Sequence, residues 1–263
     1  MQALASTKAA LIRDLVRHKK ARDAERAFIV EGAKPIGELL AGHPKSFQAL
    51  VMTEACLASA GSTFLERVRL SGCPWYVCPE RIFATLSDLT TPSGLLAVLR
   101  QPVWREEAVL KRPRLFGFYG DCLQDPANVG PLIRTAVAFG LDALWLSRDS
   151  VDVFNPKVVR ATAGTLLKLP IFTASDLRMF RDYDCPLLAA ESPGSETCRI
   201  QDIGPLPPRA IVALGNESRG LSPSIIQQAS VRFHIPIDSQ AESLNVAAAA
   251  AVVAFALSAL RYP

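Results

Sequence analysis

Three polar segments interrupt the apolar second half of the chain, and their residue types suit holding or orienting a ligand. The first runs Asp125-Pro126-Ala127-Asn128-Val129-Gly130-Pro131-Leu132-Ile133-Arg134. Asn128 reads as a helix N-cap and Pro131 falls in the first turn, where a missing N–H costs little. Arg134 follows about 1.5 turns further along, and Gly140 ends the run. A capped helix with a solvated arginine explains this segment equally well on its own. The second segment, Leu214 to Leu221, directly follows an apolar strand. Gly215 and Gly220 let backbone approach a ligand closely or take positive φ, and an ordinary strand-to-helix turn has no need of Asn216-Glu217 at its apex. Ser222-Pro223 then reads as N-cap and first helical residue, with Leu221 and Ile226 as a hydrophobic staple. In the third segment, Ile235-Pro236-Ile237 leads through Asp238 to Asn245. Ser243 is the natural cap of an alanine-rich helix, which leaves Asn245 unexplained unless that first turn packs against something polar.

Other chemistries lack their signatures. No G-x-G-x-x-G follows a first strand, no G-x-x-x-x-G-K-[ST] loop is present, and no G-x-S-x-G elbow exists. His18, His43 and His234 are scattered, with His234 placed in the strand before the third segment. The six cysteines form no C-x-x-C pair, so no metal site is expected. Hydrophobic residues at 49% and charged residues at 21% read as an ordinary globular chain. The +4 formal charge is concentrated in residues 1–30, where seven basic side chains face three acidic ones. A basic opening helix is a candidate phosphate-facing surface through Arg17, Lys19, Lys20 and Arg22, and a solvated helix face is the plain alternative. The N-terminus has no signal-peptide pattern, and the cytoplasm with reduced thiols is expected. The longest apolar run, Val246 to Leu257, is 12 residues and mostly alanine, which predicts a buried helix and no membrane span.

The elements that must position these segments follow from periodicity. Leu4, Leu11, Leu15 and Val16 predict an opening amphipathic helix. Strand-like runs recur at 27–30, 49–52, 75–77 and 95–99, with helical patterns around Ile36–Leu40 and Ile82–Leu86, making a small α/β unit over 1–102. Residues 103–113, charged, preceded by Pro102 and ending in Pro113, are the expected linker. Over 114–263, short apolar runs at 115–119, 143–146, 187–190 and 210–214 alternate with helices near 129–139, 156–167, 222–229 and 244–260. That alternation predicts a doubly wound α/β domain on a parallel sheet, with ligand-binding loops beyond the strands' carboxyl ends.

Taken together, the three segments resemble the SpoU (TrmH-like) class of the SPOUT methyltransferases. The N-x-G-x-x-x-R-T-A motif is matched by Asn128, Gly130, Arg134, Thr135 and Ala136. G-N-E-x-x-G-L is matched by Gly215, Asn216, Glu217, Gly220 and Leu221. I-P-M…S-L-N-V-S is matched by Ile235, Pro236, Ser243, Leu244, Asn245 and Val246, with Ile237 in place of the usual Met and Ala247 in place of the usual Ser. Asn155 to Gly164 looks like the family's intermediate helix. Phe28-Ile29-Val30-Glu31-Gly32 and Thr91-Pro92-Ser93-Gly94-Leu95 are similar to the substrate-binding domain that often precedes the catalytic one.

The resemblance implies an α/β fold with a deep trefoil knot, a homodimer with its site at the subunit interface, and S-adenosylmethionine as cofactor. It implies a cofactor cradle of Leu214, Gly215, Asn216, Gly220, Ile235, Ile237, Ser243, Leu244 and Asn245. It implies a catalytic group of Arg134, Asn128, Glu217, Ser243 and Asn245 that methylates a ribose 2′-oxygen in RNA, with large-subunit ribosomal RNA favoured over tRNA. Asn128 would orient Arg134 or the ribose. Arg134 is either a base of depressed pKa or a cation stabilising the developing alkoxide and phosphate; the second is favoured because an ordinary guanidinium titrates above about 12. Lys157 and Arg160 join the basic opening helix as candidate RNA contacts. A non-catalytic RNA- or ribosome-binding factor and a base methyltransferase are the rival expectations.

Overall fold

The computed structural model describes residues 2–261. The chain forms two compact units, Met1–Val103 with Asp152–Leu167, and Trp104–Val151 with Lys168–Pro263.

The first unit is built on a mixed five-stranded sheet in the order Gln2–Ala3, Trp75–Cys78, Phe47–Thr53, Leu95–Arg100, Ala27–Glu31. The opening helix Ser6–Arg17 turns Ala9, Ile12 and Leu15 into the core, the three-residue spacing of an inward stripe. Its neighbour Lys19–Glu25 carries a correction. Arg22 is only 3% exposed, donating to Asp152 Oδ2 at 2.8 Å and to the Leu15 carbonyl at 2.8 Å. An arginine so placed holds the fold and is withdrawn from phosphate contacts. Arg160 is likewise occupied, in a bidentate pair with Asp88 at 2.5 and 3.0 Å.

Residues 152–167 belong to this first unit, where helix Pro156–Ala161 packs on strand Ala27–Glu31. The helix expected to reach 167 stops at Ala161. Ala163 and Gly164 adopt left-handed φ of 48° and 86°, which ends the α-helical hydrogen bonding.

The second unit holds a seven-stranded sheet in which every pair is parallel. Its order is Cys198–Arg199, Val231–His234, Leu187–Glu191, Arg209–Leu214, Leu115–Gly120, Ala143–Leu146, Ile171–Thr173. The central strands read as near-continuous apolar runs because both faces are covered. Residues 103–113, expected as a linker, contain helix Glu106–Leu110. Val109 and Leu110 enter the unit's core, and Glu106 accepts the Trp145 indole N–H at 2.8 Å. Helix Pro126–Ala138 lies against the final helix Val246–Arg261.

Candidate active site

The carboxyl ends of the second unit's central strands open into a cavity of about 450 Å³. Its walls come from two of the three polar segments. Leu214, Gly215, Asn216, Glu217 and Gly220 form one side, and Ile235, Ile237, Ser243 and Leu244 the other. Asn245 does not itself line the wall, and neither do Asn128 and Arg134.

The loop after strand Arg209–Leu214 is closed on itself. Asn216 and Gly220 exchange backbone hydrogen bonds at 3.0 and 2.9 Å, and the Asn216 side-chain oxygen accepts from the N–H groups of Ser218 and Arg219 at 3.0 and 3.2 Å. Gly215 permits this closure, since a Cβ there would overlap the Gly220 carbonyl carbon and stand 2.5 Å from Leu221 N. The Asn216 side-chain amide donates to the Cys122 carbonyl at 2.8 Å. Burial pushes the Cys122 thiol up, so it stays a protonated donor beside Asp121.

Asn128 joins the three segments. The helix N-cap is Asp125, whose Oδ1 accepts from Ala127 N at 2.8 Å, so Asn128 sits inside the first turn and is not the cap. Freed from that role and 6% exposed, Asn128 donates from Nδ2 to Glu217 Oε1 and accepts at Oδ1 from Asn245 Nδ2 at 2.7 Å. Asn245 in turn caps the final helix, its Oδ1 accepting from Ala247 N at 2.9 Å, the role expected of Ser243. Ser243 is exposed at the cavity wall. An unbroken chain Glu217–Asn128–Asn245 therefore runs through all three motifs. Asn128 bonds these two partners and makes no hydrogen bond to Arg134.

Arg134 is exposed on the same helix, with no hydrogen bond or ion pair among the described residues. Six residues of helix separate it from Asn128, roughly 9 Å along the axis. Arg17, Lys19, Lys20 and Lys157 are also exposed.

Sequence reasoning missed Glu191, Ser192, Pro193 and Glu242 on the cavity wall. Glu191 ends strand Leu187–Glu191, and its position at a carboxyl terminus of a parallel strand is the signal that could have found it. Arg232 grips Glu191 at 2.6 and 3.0 Å and also pairs with Glu196; those carboxylates hold its guanidinium above the usual value. No group of three or more His, Cys, Asp or Glu residues able to hold a metal ion occurs among the described residues. No helix there is long and apolar enough to cross a membrane.

The profile of the SpoU rRNA Methylase family matches residues 118–255, a span containing every residue of the cavity and of the Asn128 chain. This chain belongs to the SpoU rRNA methylase family. Residues 11–97 match an MRM3-like substrate binding domain. The chain is 30% identical over 244 residues to the 23S rRNA (guanosine(2553)-2'-O)-methyltransferase RlmP of Bacillus subtilis (strain 168), covering 91% of each. It is 32% identical to a structure of a putative TrmH-family RNA methyltransferase from Porphyromonas gingivalis, with a TM-score of 0.78 over 96% of this chain and 97% of that one. The AdoMet complex of the SpoU methyltransferase AviRb from Streptomyces viridochromogenes shares the fold, with a TM-score of 0.83 at 23% identity over 97% and 99% of the two chains.

Proposed function

We propose that this protein transfers a methyl group from S-adenosylmethionine to a ribose 2′-hydroxyl in large-subunit ribosomal RNA. The observation that carries the reading is the Glu217–Asn128–Asn245 chain at the rim of the cavity, which unites the three family motifs at one place. Relatives matching about nine tenths of the chain, such as RlmP, bear names that specify 2'-O-methylation of 23S rRNA.

The cavity fits the cofactor by its chemistry. Leu214, Ile226, Ile235, Ile237, Leu244 and Val246 offer apolar walls for an aromatic base, while the Gly215 and Gly220 backbone can approach closely. Glu217 and Glu242 give the wall acidic groups suited to a cationic ligand, while Glu191 is already paired with Arg232. The bound cofactor supplies a sulfonium methyl with an excellent leaving group already in place, so the protein's task is positioning and charge stabilisation. Asn128 fixes Glu217 and Asn245 relative to each other. Arg134, whose guanidinium has no hydrogen bond among the described residues, stabilises the developing alkoxide or the adjacent phosphate.

Arg134 stands nearly two helical turns from Asn128, which supports a site completed across an interface with a second copy of the chain. Ala248, Val252 and Phe255 recur at i, i+4 and i+7 on the final helix and are all exposed, an outward apolar stripe suited to such an interface. In this reading the segment after His234 closes a trefoil knot, the protein works in the cytoplasm, and Lys19, Lys20, Arg17 and Lys157 meet RNA phosphates.

Mapping ribose methylations in ribosomal RNA from a deletion strain, with and without the restored gene, tests the proposal. One 2′-O-methyl mark should vanish on deletion and return on complementation. If every mark in large-subunit RNA persists, the substrate is wrong, and disappearance of a tRNA mark would redirect it. Failure of S-adenosylmethionine to bind in a calorimetric titration would favour the non-catalytic alternative.

A further inference from the structure

The loop 215–221 is closed on itself by hydrogen bonds, yet these alone do not fix where it stands relative to the sheet. Its attachment is a turn that belongs to none of the three motifs. At the end of strand Leu115–Gly120, Asp121 N donates to the Leu214 carbonyl at 2.9 Å where the loop begins. The Asp121 carboxylate reaches the other end, its Oδ2 accepting from Ser222 N at 2.8 Å. Between these two, the Asn216 amide donates to the Cys122 carbonyl at 2.8 Å.

The turn itself is built for this. Cys122 takes a left-handed φ of 53°, held by its N–H donating to Ser147 Oγ at 2.7 Å, and its thiol donates to Asp121 Oδ1 at 3.6 Å. Asp121 is 5% exposed, so water is poorly placed to substitute for these partners. It does not line the cavity. Any effect it has on a ligand must pass through the loop.

We infer that Asp121 is a positioning residue that sets the cofactor-binding loop by clamping its exit at Ser222 against its entry at Leu214. The inference rests on the reading of this cavity as the S-adenosylmethionine site. A buried carboxylate accepting a backbone N–H is among the stronger hydrogen bonds, and removing it strands the donor. Without the clamp the 215–221 loop can rotate as a body about its remaining attachments, which degrades ligand affinity while every ligand-facing residue stays in place.

The test compares wild type, Asp121→Ala and Asp121→Asn by calorimetric titration with S-adenosylmethionine, steady-state methylation and amide hydrogen exchange. Asp121→Ala should weaken cofactor binding about tenfold or more, the effect expected for one charge-assisted hydrogen bond. Its kcat at saturating cofactor should stay within about threefold, since Asp121 is buried and does not line the cavity. Exchange should accelerate at 214–223 and 121–123 and nowhere else. Asp121→Asn keeps an oxygen acceptor for Ser222 and should restore affinity and protection. Wild-type affinity and exchange in Asp121→Ala would overturn the inference, as would an Asn variant as defective as Ala. Acceleration throughout the second unit would mean a general structural role and overturn it equally. If wild type binds no S-adenosylmethionine, the functional reading falls, and the exchange pattern alone then decides whether Asp121 holds the loop.

Discussion

At the residue level, the division of labour between Arg134 and Asn128 has measurable consequences. Arg134 is exposed and unbonded among the described residues, so removing it costs the fold little. Arg134→Ala should lower methylation about 100-fold or more, the effect typical of one charge-stabilising group, with melting temperature and cofactor affinity close to wild type. A parallel collapse of cofactor binding would assign Arg134 a structural role instead. Asn128 is the opposite case, buried and bonded on both sides. Asn128→Ala strands Glu217 and Asn245 together, and should cost about 1–3 kcal/mol of stability and weaken cofactor affinity as well, read by thermal melting and calorimetry. A variant that melts like wild type would contradict the linking chain. Spacing marks both residues in the sequence, but it carries no sign that Asn128 turns away from Arg134. That orientation depends on Asp125 taking the cap, and on partners 89 and 117 residues distant in the chain.

At the level of elements, the parallel strands are legible because burial on both faces writes them as unbroken apolar runs. Leu115–Gly120, Ala143–Leu146, Leu187–Glu191 and Arg209–Leu214 all fall where periodicity puts them. Ile171–Thr173 escapes, being a three-residue edge strand too short to carry a pattern. The helix expected over 156–167 is too long because nothing in the residue type of Ala163 announces a left-handed φ of 48°. Arg22 misleads for a related reason: a charge is visible in sequence, but the Asp152 that pairs with it is 130 residues away. Arg22→Ala should destabilise the first unit by about 3 kcal/mol or more by leaving Asp152 unpaired, whereas Lys19→Ala and Lys20→Ala should leave melting unchanged and weaken RNA binding. For each phosphate that such a variant no longer meets, the salt dependence of binding should fall by about 0.7–0.9 in slope, measured by titration at several ionic strengths. Gly215 makes a sharper demand on its loop. Gly215→Ala cannot be accommodated against the Gly220–Leu221 backbone, so it should abolish cofactor binding while the strands on either side keep their hydrogen-exchange protection.

For the whole molecule, what matters is the surface that the outward stripe of the final helix meets. Phe255 is 69% exposed and Val252 40%, and the Phe139 ring lies 6.5 Å from that of Phe255. The end of one helix and the face of another in the second unit thus present aromatic and aliphatic surface, and Arg134 is exposed on the first of these same two helices. Fully burying a phenylalanine side chain is worth about 1.5–3 kcal/mol, and a symmetric interface counts it twice. An exposed cation on a helix that flanks an apolar stripe is explained if both serve the same interface, the stripe bringing two copies together and Arg134 meeting a cavity across the join. Analytical ultracentrifugation should therefore find wild type dimeric, and Phe255→Asp should shift it to monomer by placing a charge in the interface. The monomer should keep its helical circular dichroism, because Phe255 adds little to the core, yet be as inactive in methylation as Arg134→Ala. A fully active Phe255→Asp monomer would show that each chain completes its own site and would send Arg134 back to a role within one copy.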